Sequence, residues 1–130
     1  MHKPQQQVLE FHQAFGVAAP HSLDPAAFPG ELRIALVDEE AREFAAAVRS
    51  GDPVAIVHEL VDLLYVTYGA AVALGVDVEG AFDLVHAANL GKLGGERRAD
   101  GKVLKPAGWQ PADITGWLVA HPATPAQRSV

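Results

Sequence analysis

Apolar residues recur along this chain at helical spacing, and the residues that interrupt them mark where helices begin and end. Pro4 suits a first helical turn, and Val8, Leu9, Phe11, His12 and Phe15 follow before Gly16 stops the run. Three prolines within 17–29 make that stretch a connecting loop. A second helix is expected over 31–50, closed by Gly51, which is free to turn left-handed. The third starts at once, because Asp52 is a good N-cap and Pro53 fits the first helical position. Asp77 is expected to cap a fourth helix over 78–93, with Phe82, Leu84, Val85 and Ala88 as its apolar contacts. The Gly-rich, charged segment GGERRADGKVLKPAGWQP reads as a mobile loop, 111–120 as a short last helix and 121–130 as a flexible tail. The expectation is a single all-α domain over 1–120, an antiparallel four-helix bundle core completed by oligomerisation through large apolar faces on helices three and four.

The third helix organises the rest. Its apolar run over 53–76 contains no Lys or Arg and only two acids, Glu59 and Asp62, three apart and therefore on one helical face. The helix reads as buried, with Gly69, Ala70 and Ala71 letting a neighbour approach closely, and a carboxylate without a partner is costly there. The second helix supplies further acids rather than bases. Glu31, Asp38, Arg42 and Arg49 form its solvent stripe, Asp38 and Arg42 being placed as an i,i+4 pair. Glu39, Glu40 and Glu43 fall on a different arc, about 100° wide, which they share with Leu32, Leu36 and Ala47. Glu43 lies eight residues before Gly51 and Glu59 eight after it, so a tight antiparallel turn sets the two acidic pairs at similar heights. A basic side chain, a shared proton or a bound cation must offset them. Facing carboxylates suit a hard divalent metal best, since such ions prefer oxygen ligands.

Composition narrows the remaining possibilities. A chain of 130 residues with 49% hydrophobic and 20% charged residues is ordinary for one globular domain. The absence of cysteine removes disulfides, thiol catalysis and Cys-ligated zinc, and fits a reducing cytoplasm. A net charge of -6 argues against a partner such as a nucleic acid polymer. The N-terminus has no secretory pattern, and two acids within the longest apolar segment argue against a membrane span. A cytoplasmic location is therefore expected.

The pattern ELRIALVDEEAREF followed by HELVDLLYVTYGAAVALG resembles the MazG-like and phosphoribosyl-ATP pyrophosphohydrolase-like superfamily of all-α nucleoside triphosphate pyrophosphohydrolases. Glu40 to Glu43 match that superfamily's ExxE motif and Glu59 to Asp62 its ExxD motif, with fifteen residues between them. HAANLGKL and DGKVLKP are similar to downstream Asn/Lys elements of some members, so the resemblance covers about residues 8–114. It implies a homodimeric or homotetrameric helical bundle that binds magnesium, with manganese as a substitute. The implied reaction splits a nucleoside triphosphate into monophosphate and pyrophosphate, and some members prefer dUTP. Glu40, Glu43, Glu59 and Asp62 would hold the metal, and a neighbouring carboxylate, Glu43 or Glu39, would orient or deprotonate the attacking water, Glu39 being equally a candidate fifth ligand or an ordinary surface acid.

The other candidates have ordinary structural roles beside the functional ones. Asn89 and Lys92 are placed to hold a phosphate chain, although a lysine at a helix C-terminus also offsets the helix dipole. Lys102 and Lys105 can close over leaving pyrophosphate or be solvated loop residues; Arg97 and Arg98 are weaker candidates. His12, His86, Phe15 and Trp109 can line a base pocket or belong to the core. His58 and His86 lack a familiar zinc spacing. Two rival functions stand beside nucleotide housecleaning: phosphoribosyl-ATP hydrolysis, and a noncatalytic helical module that binds metal or nucleotide.

Overall fold

Asp52 Oδ1 accepts the Val54 N–H at 3.0 Å, while Gly51 turns left-handed at φ 72°. This cap and turn fold the chain back on itself with no loop to spare. The hairpin joins α2 (Gly30–Ser50) to α3 (Pro53–Leu74) in a computed structural model that describes residues 1–120. The other helices are α1 (Lys3–Phe15), α4 (Glu79–Leu90) and α5 (Ile114–Ala120). Among the described residues there is no strand, and an isolated bridge joins Arg97 to Val103. The all-α class expected from the sequence is what the chain adopts; the tail at 121–130 lies outside the described residues.

The chain divides into two compact units. In the first, Met1–Asp77, α2 packs along α3 and α1 packs on α3, giving the bundle core its helical layers. Val8, Leu9 and Val72 form the buried centre, with Met1, Ala19 and Tyr68 against them. Gln5 Nε2 donates to the Val76 carbonyl at 2.7 Å, tying the start of α1 to the exit of α3. Gly75 ends α3 at φ 82°, where an added Cβ would run into the Ser22 carbonyl, so the loop before α2 can pass close by. The Asp24 N–H donates to Leu74 O at 3.1 Å and holds that loop in place.

The second unit, from Val78 onward, holds α4, α5 and the segment between them. That segment, read as a mobile loop, is instead folded on itself: Arg98 N–H donates to Lys102 O at 2.7 Å and Leu104 N–H to Glu96 O at 2.7 Å. Asp77 does not occupy the N-cap of α4. Val78 stands there, and Asp77 Oδ2 lies 3.2 Å from the N-terminal ammonium of Met1, a charge no internal pattern announces.

The burial expected along α3 holds only for its last turns, where Gly69, Ala71, Val72 and Ala73 are buried. Val54, Val57, Leu60, Val61, Leu64 and Tyr65 are exposed. At about 100° per residue they form one stripe, opposite the face that carries Glu59 and Asp62. Two neighbouring helices cannot wrap a rod that is apolar on nearly every side. On α2, Ala47 is buried as expected, but Leu32, near the free end of the helix, is exposed. Arg42 Nε donates to the main-chain carbonyl of Asp38 at 3.2 Å rather than to its carboxylate.

Candidate metal centre

On α2, Arg33, Glu40 and Ala47 repeat at intervals of seven and so share the face turned toward α3, with Glu43 bordering it. On α3, Glu59 and Asp62 occupy the side opposite the exposed apolar stripe. The hairpin turn then fixes their heights, and one ligand atom from each of Glu40, Glu43 and Glu59 comes within 4.8 Å of the other two. A second group with the same spacing joins His58, Glu59 and Asp62. Glu59 belongs to both, which makes it the centre of the cluster.

Among the described residues, Glu40 and Glu59 lack the basic partners that would make a structural ion-pair network. Oε2 of Glu40 and Oε2 of Glu59 are buried and make no hydrogen bond among the described residues. Burial of its carboxylate, followed by the nearby charges of Glu43 and Asp62, pushes Glu40 above the usual carboxylate range. Glu59 rises for the same reason, first from burial and then from its contact with Glu43 and the charges of Glu43 and Asp62. His58 acts in the opposite direction. Two ionised carboxylates cannot hydrogen-bond each other, because both are acceptors. The geometry therefore demands a shared proton or a cation, and its donor set of carboxylate oxygens fits a hard divalent ion.

Each residue singled out by the sequence has a definite place. Glu40, Glu43, Glu59 and Asp62 come together. Glu39 is exposed and about 100° around α2 from Glu40, outside both groups. His58 is an addition: its Nε2 lies 3.3 Å from Asp62 Oδ2, and the i,i+4 spacing to Asp62 was the available signal. His12 is a core residue rather than a pocket wall, only 3% exposed, with Nδ1 3.0 Å from Ala18 O. Burial, and then the charge of Arg33, keeps its pKa below the ordinary histidine value, although the Ala18 carbonyl pulls the other way. Phe15 is exposed and stacks on Phe11 at 4.5 Å between ring centroids.

Arg33 escaped the sequence reading although it stands on the same face as Glu40. It is 8% exposed, its Nε is buried without a hydrogen-bond partner among the described residues, and burial lowers its pKa. Gly69 makes the room: a Cβ there would lie 2.9 Å from Arg33 Nη1 and 3.6 Å from His12 Nε2. Seven residues separate Arg33 from Glu40, two turns or roughly 10 Å along the helix, so this base does not neutralise the acids.

Within the second unit His86 and Asn89 are exposed on α4. Lys92 Nζ and Lys105 Nζ lie 5.1 and 5.0 Å from the centre of the Trp109 ring. Lys102 is exposed, and its main-chain N–H donates to Asp100 Oδ1 at 3.2 Å.

No curated protein shows a significant match to the chain. A family model, phosphoribosyl-ATP pyrophosphohydrolase, matches residues 8–89, a stretch that contains α2, α3 and every acid of the cluster. With well over half its length matched and two carboxylate pairs facing each other across a helical hairpin, the chain belongs to the phosphoribosyl-ATP pyrophosphohydrolase family, within the MazG-like all-α superfamily of pyrophosphohydrolases.

Proposed function

We propose that this protein is a magnesium-dependent nucleoside triphosphate pyrophosphohydrolase that clears surplus or noncanonical nucleotides, dUTP included, from the cytoplasmic pool. The observation that carries the proposal is the pair of buried oxygens on Glu40 and Glu59, on adjacent helices, with no hydrogen-bond partner among the described residues. Glu40, Glu59 and Asp62 hold the metal, with Glu43 as a further ligand. Magnesium, or manganese in its place, would when bound by these carboxylates supply charge screening and Lewis acidity toward the phosphate oxygens.

Among the four acids Glu43 is the exposed one, and it contacts both Glu40 and Glu59. It is therefore best placed to orient the attacking water and take its proton, with Glu39 as the other candidate base. The water oxygen bonds to the α-phosphorus while the bond to the α–β bridging oxygen breaks, and pyrophosphate leaves with that electron pair. Within the second unit, Asn89, Lys92, Lys102 and Lys105 are the candidates to bind phosphate and His86 to contact a nucleoside. The exposed stripe on α3 packs against a second copy of the chain, giving a homodimer or a pair of such dimers.

A second reading is favoured by one observation, the phosphoribosyl-ATP pyrophosphohydrolase description of the matching family. Phosphoribosyl-ATP presents the same α–β phosphoanhydride, so the hydrolytic centre serves either substrate. The test is a panel of nucleoside and deoxynucleoside triphosphates plus phosphoribosyl-ATP, each incubated with protein and magnesium. Monophosphate and pyrophosphate from one or more triphosphates, faster than from phosphoribosyl-ATP, is expected. Preference for phosphoribosyl-ATP would select the second reading, and no turnover of any substrate would leave a binding module.

A further inference from the structure

We propose that Trp109 is a positioning residue for phosphate: its indole ring fixes the ammonium groups of Lys92 and Lys105, and Arg97 completes the cradle with them. The proposal rests on the reading that these lysines handle the phosphates of the substrate. It adds what holds them, and a third cation that the sequence alone ranked low.

The ring is itself pinned. Trp109 Nε1 donates to the Ala88 carbonyl at 2.6 Å, one of the last-turn carbonyls of α4 that the helix leaves without an internal partner. That bond orients the indole at the helix end. Each lysine then approaches the ring to within cation–π distance, one from the end of α4 and the other from thirteen residues further on. Because both Nζ atoms lie about 5 Å from one centroid, they are at most about 10 Å apart. Where the two share one face of the ring they are closer still, and charge-assisted bonds of about 2.8 Å from each reach the oxygens of one phosphate chain.

Charge and shape agree with this. Residues 89–109 carry five cations, Lys92, Arg97, Arg98, Lys102 and Lys105, against two acids, Glu96 and Asp100, in a chain whose net charge is -6. Asp100 is occupied by Arg98 through contacts of 3.0 and 2.6 Å. Arg98 is thereby neutralised, whereas Arg97 has no paired acid among the described residues. Arg97 lines a hollow of about 210 Å³ with Asn89, Lys92, Gly94 and Gly95, and Lys105 lines a second hollow, with Glu96, that shares Gly94 and Gly95 with the first. A Cβ at Gly95 would collide with the Leu104 carbonyl, so that wall carries no side chain that could fill the space. Two lysines held on one ring repel each other, and a polyanion is the ligand that relieves this.

Inorganic pyrophosphate, titrated into the full chain by calorimetry in EDTA, is the test. With metal removed, the acidic cluster repels pyrophosphate, and binding reports the cations alone. Wild-type protein is expected to bind, and Trp109→Leu to bind about thirty-fold more weakly, from two cation–π contacts of ~1 kcal/mol each. Trp109→Phe keeps a ring face but loses the bond to Ala88, and an intermediate loss is expected. Where a nucleotide is turned over, Trp109→Leu raises KM by a similar factor with kcat within about twofold, a split that general misfolding does not produce. Arg97→Ala and Lys92→Ala, which leave Trp109 intact, are each expected to weaken pyrophosphate by about tenfold. No binding by wild-type protein, or unchanged affinity in folded Trp109→Phe and Lys92→Ala, overturns the proposal. Pyrophosphate binding without hydrolysis of any nucleotide would preserve it and overturn only the reaction proposed above.

Discussion

Replacing Val57 and Leu64 with aspartate is expected to turn an oligomer into monomers without touching the acidic cluster. The two residues are seven apart on α3, on the face turned away from Glu59 and Asp62, and they are 61% and 51% exposed. Fully burying such a side chain contributes about 1.5–3 kcal/mol, so covering these exposed fractions contributes ~1 kcal/mol per residue. In a symmetric dimer each residue counts twice, for a total of ~4 kcal/mol. That corresponds to roughly a thousand-fold in dissociation constant, before the further cost of burying carboxylates. Sedimentation velocity over a micromolar concentration series, with circular dichroism as the check on folding, measures the effect. Wild-type protein that stays monomeric throughout would refute the reasoning, as would a folded double variant that associates like wild type.

Other outcomes follow from the same geometry. Raised pKa values at Glu40 and Glu59 mean that the folded, metal-free protein holds protons the unfolded chain has lost, so these groups cost stability as pH rises from the ordinary glutamate value of 4.5 through their folded values. His12, whose pKa is lowered, acts oppositely: its contribution is lost as pH falls below 6.5. The difference in Tm between wild type and Glu59→Gln/Asp62→Asn isolates the acids. Without metal the double variant is expected to be the more stable at pH 7, with the gap closing toward pH 4.5 and reversing on addition of magnesium; a pH-independent gap would contradict the assigned repulsion. Activity of that variant is expected to vanish, whereas normal turnover would remove these residues from the ligand set. Gly75→Ala is expected to cost well over 2 kcal/mol in chemical denaturation, since φ 82° is combined with a collision with Ser22. Gly51→Ala has open space around it and is expected to cost only about 1 kcal/mol; equal losses would show that the contact with Ser22 is unimportant.

The hairpin and its acids were readable because local chemistry fixes their register. Gly51, Asp52 and Pro53 end one helix and start the next within three residues, and once the turn is that tight, equal distances from it become equal heights. What surrounds α3 was not readable. Its apolar positions cover nearly the whole circumference, and periodicity then cannot say whether a given side is covered by the same chain or by another. Arg33 was missed because a charged residue on a predicted inner face invites no explanation until Gly69, distant in sequence, is seen to make space for it. For His12 the choice between pocket and core stayed open for a related reason: a helical histidine has the same spacing whether it meets a ligand or the Ala18 carbonyl. The segment before α5 looked mobile from its glycines, yet the Arg98–Asp100 pair and the Trp109 bond to Ala88 depend on contacts that composition does not reveal.

Manganese titrated into metal-free protein and followed by paramagnetic resonance tests most directly whether the clustered carboxylates are a metal site. At least one manganese per chain should lose its free-ion signal in wild-type protein, magnesium should compete for the site, and Glu59→Gln/Asp62→Asn should leave the ion free. A wild-type protein that leaves the free-ion spectrum unchanged at millimolar concentrations, or a double variant that binds as tightly as wild type, would contradict the account.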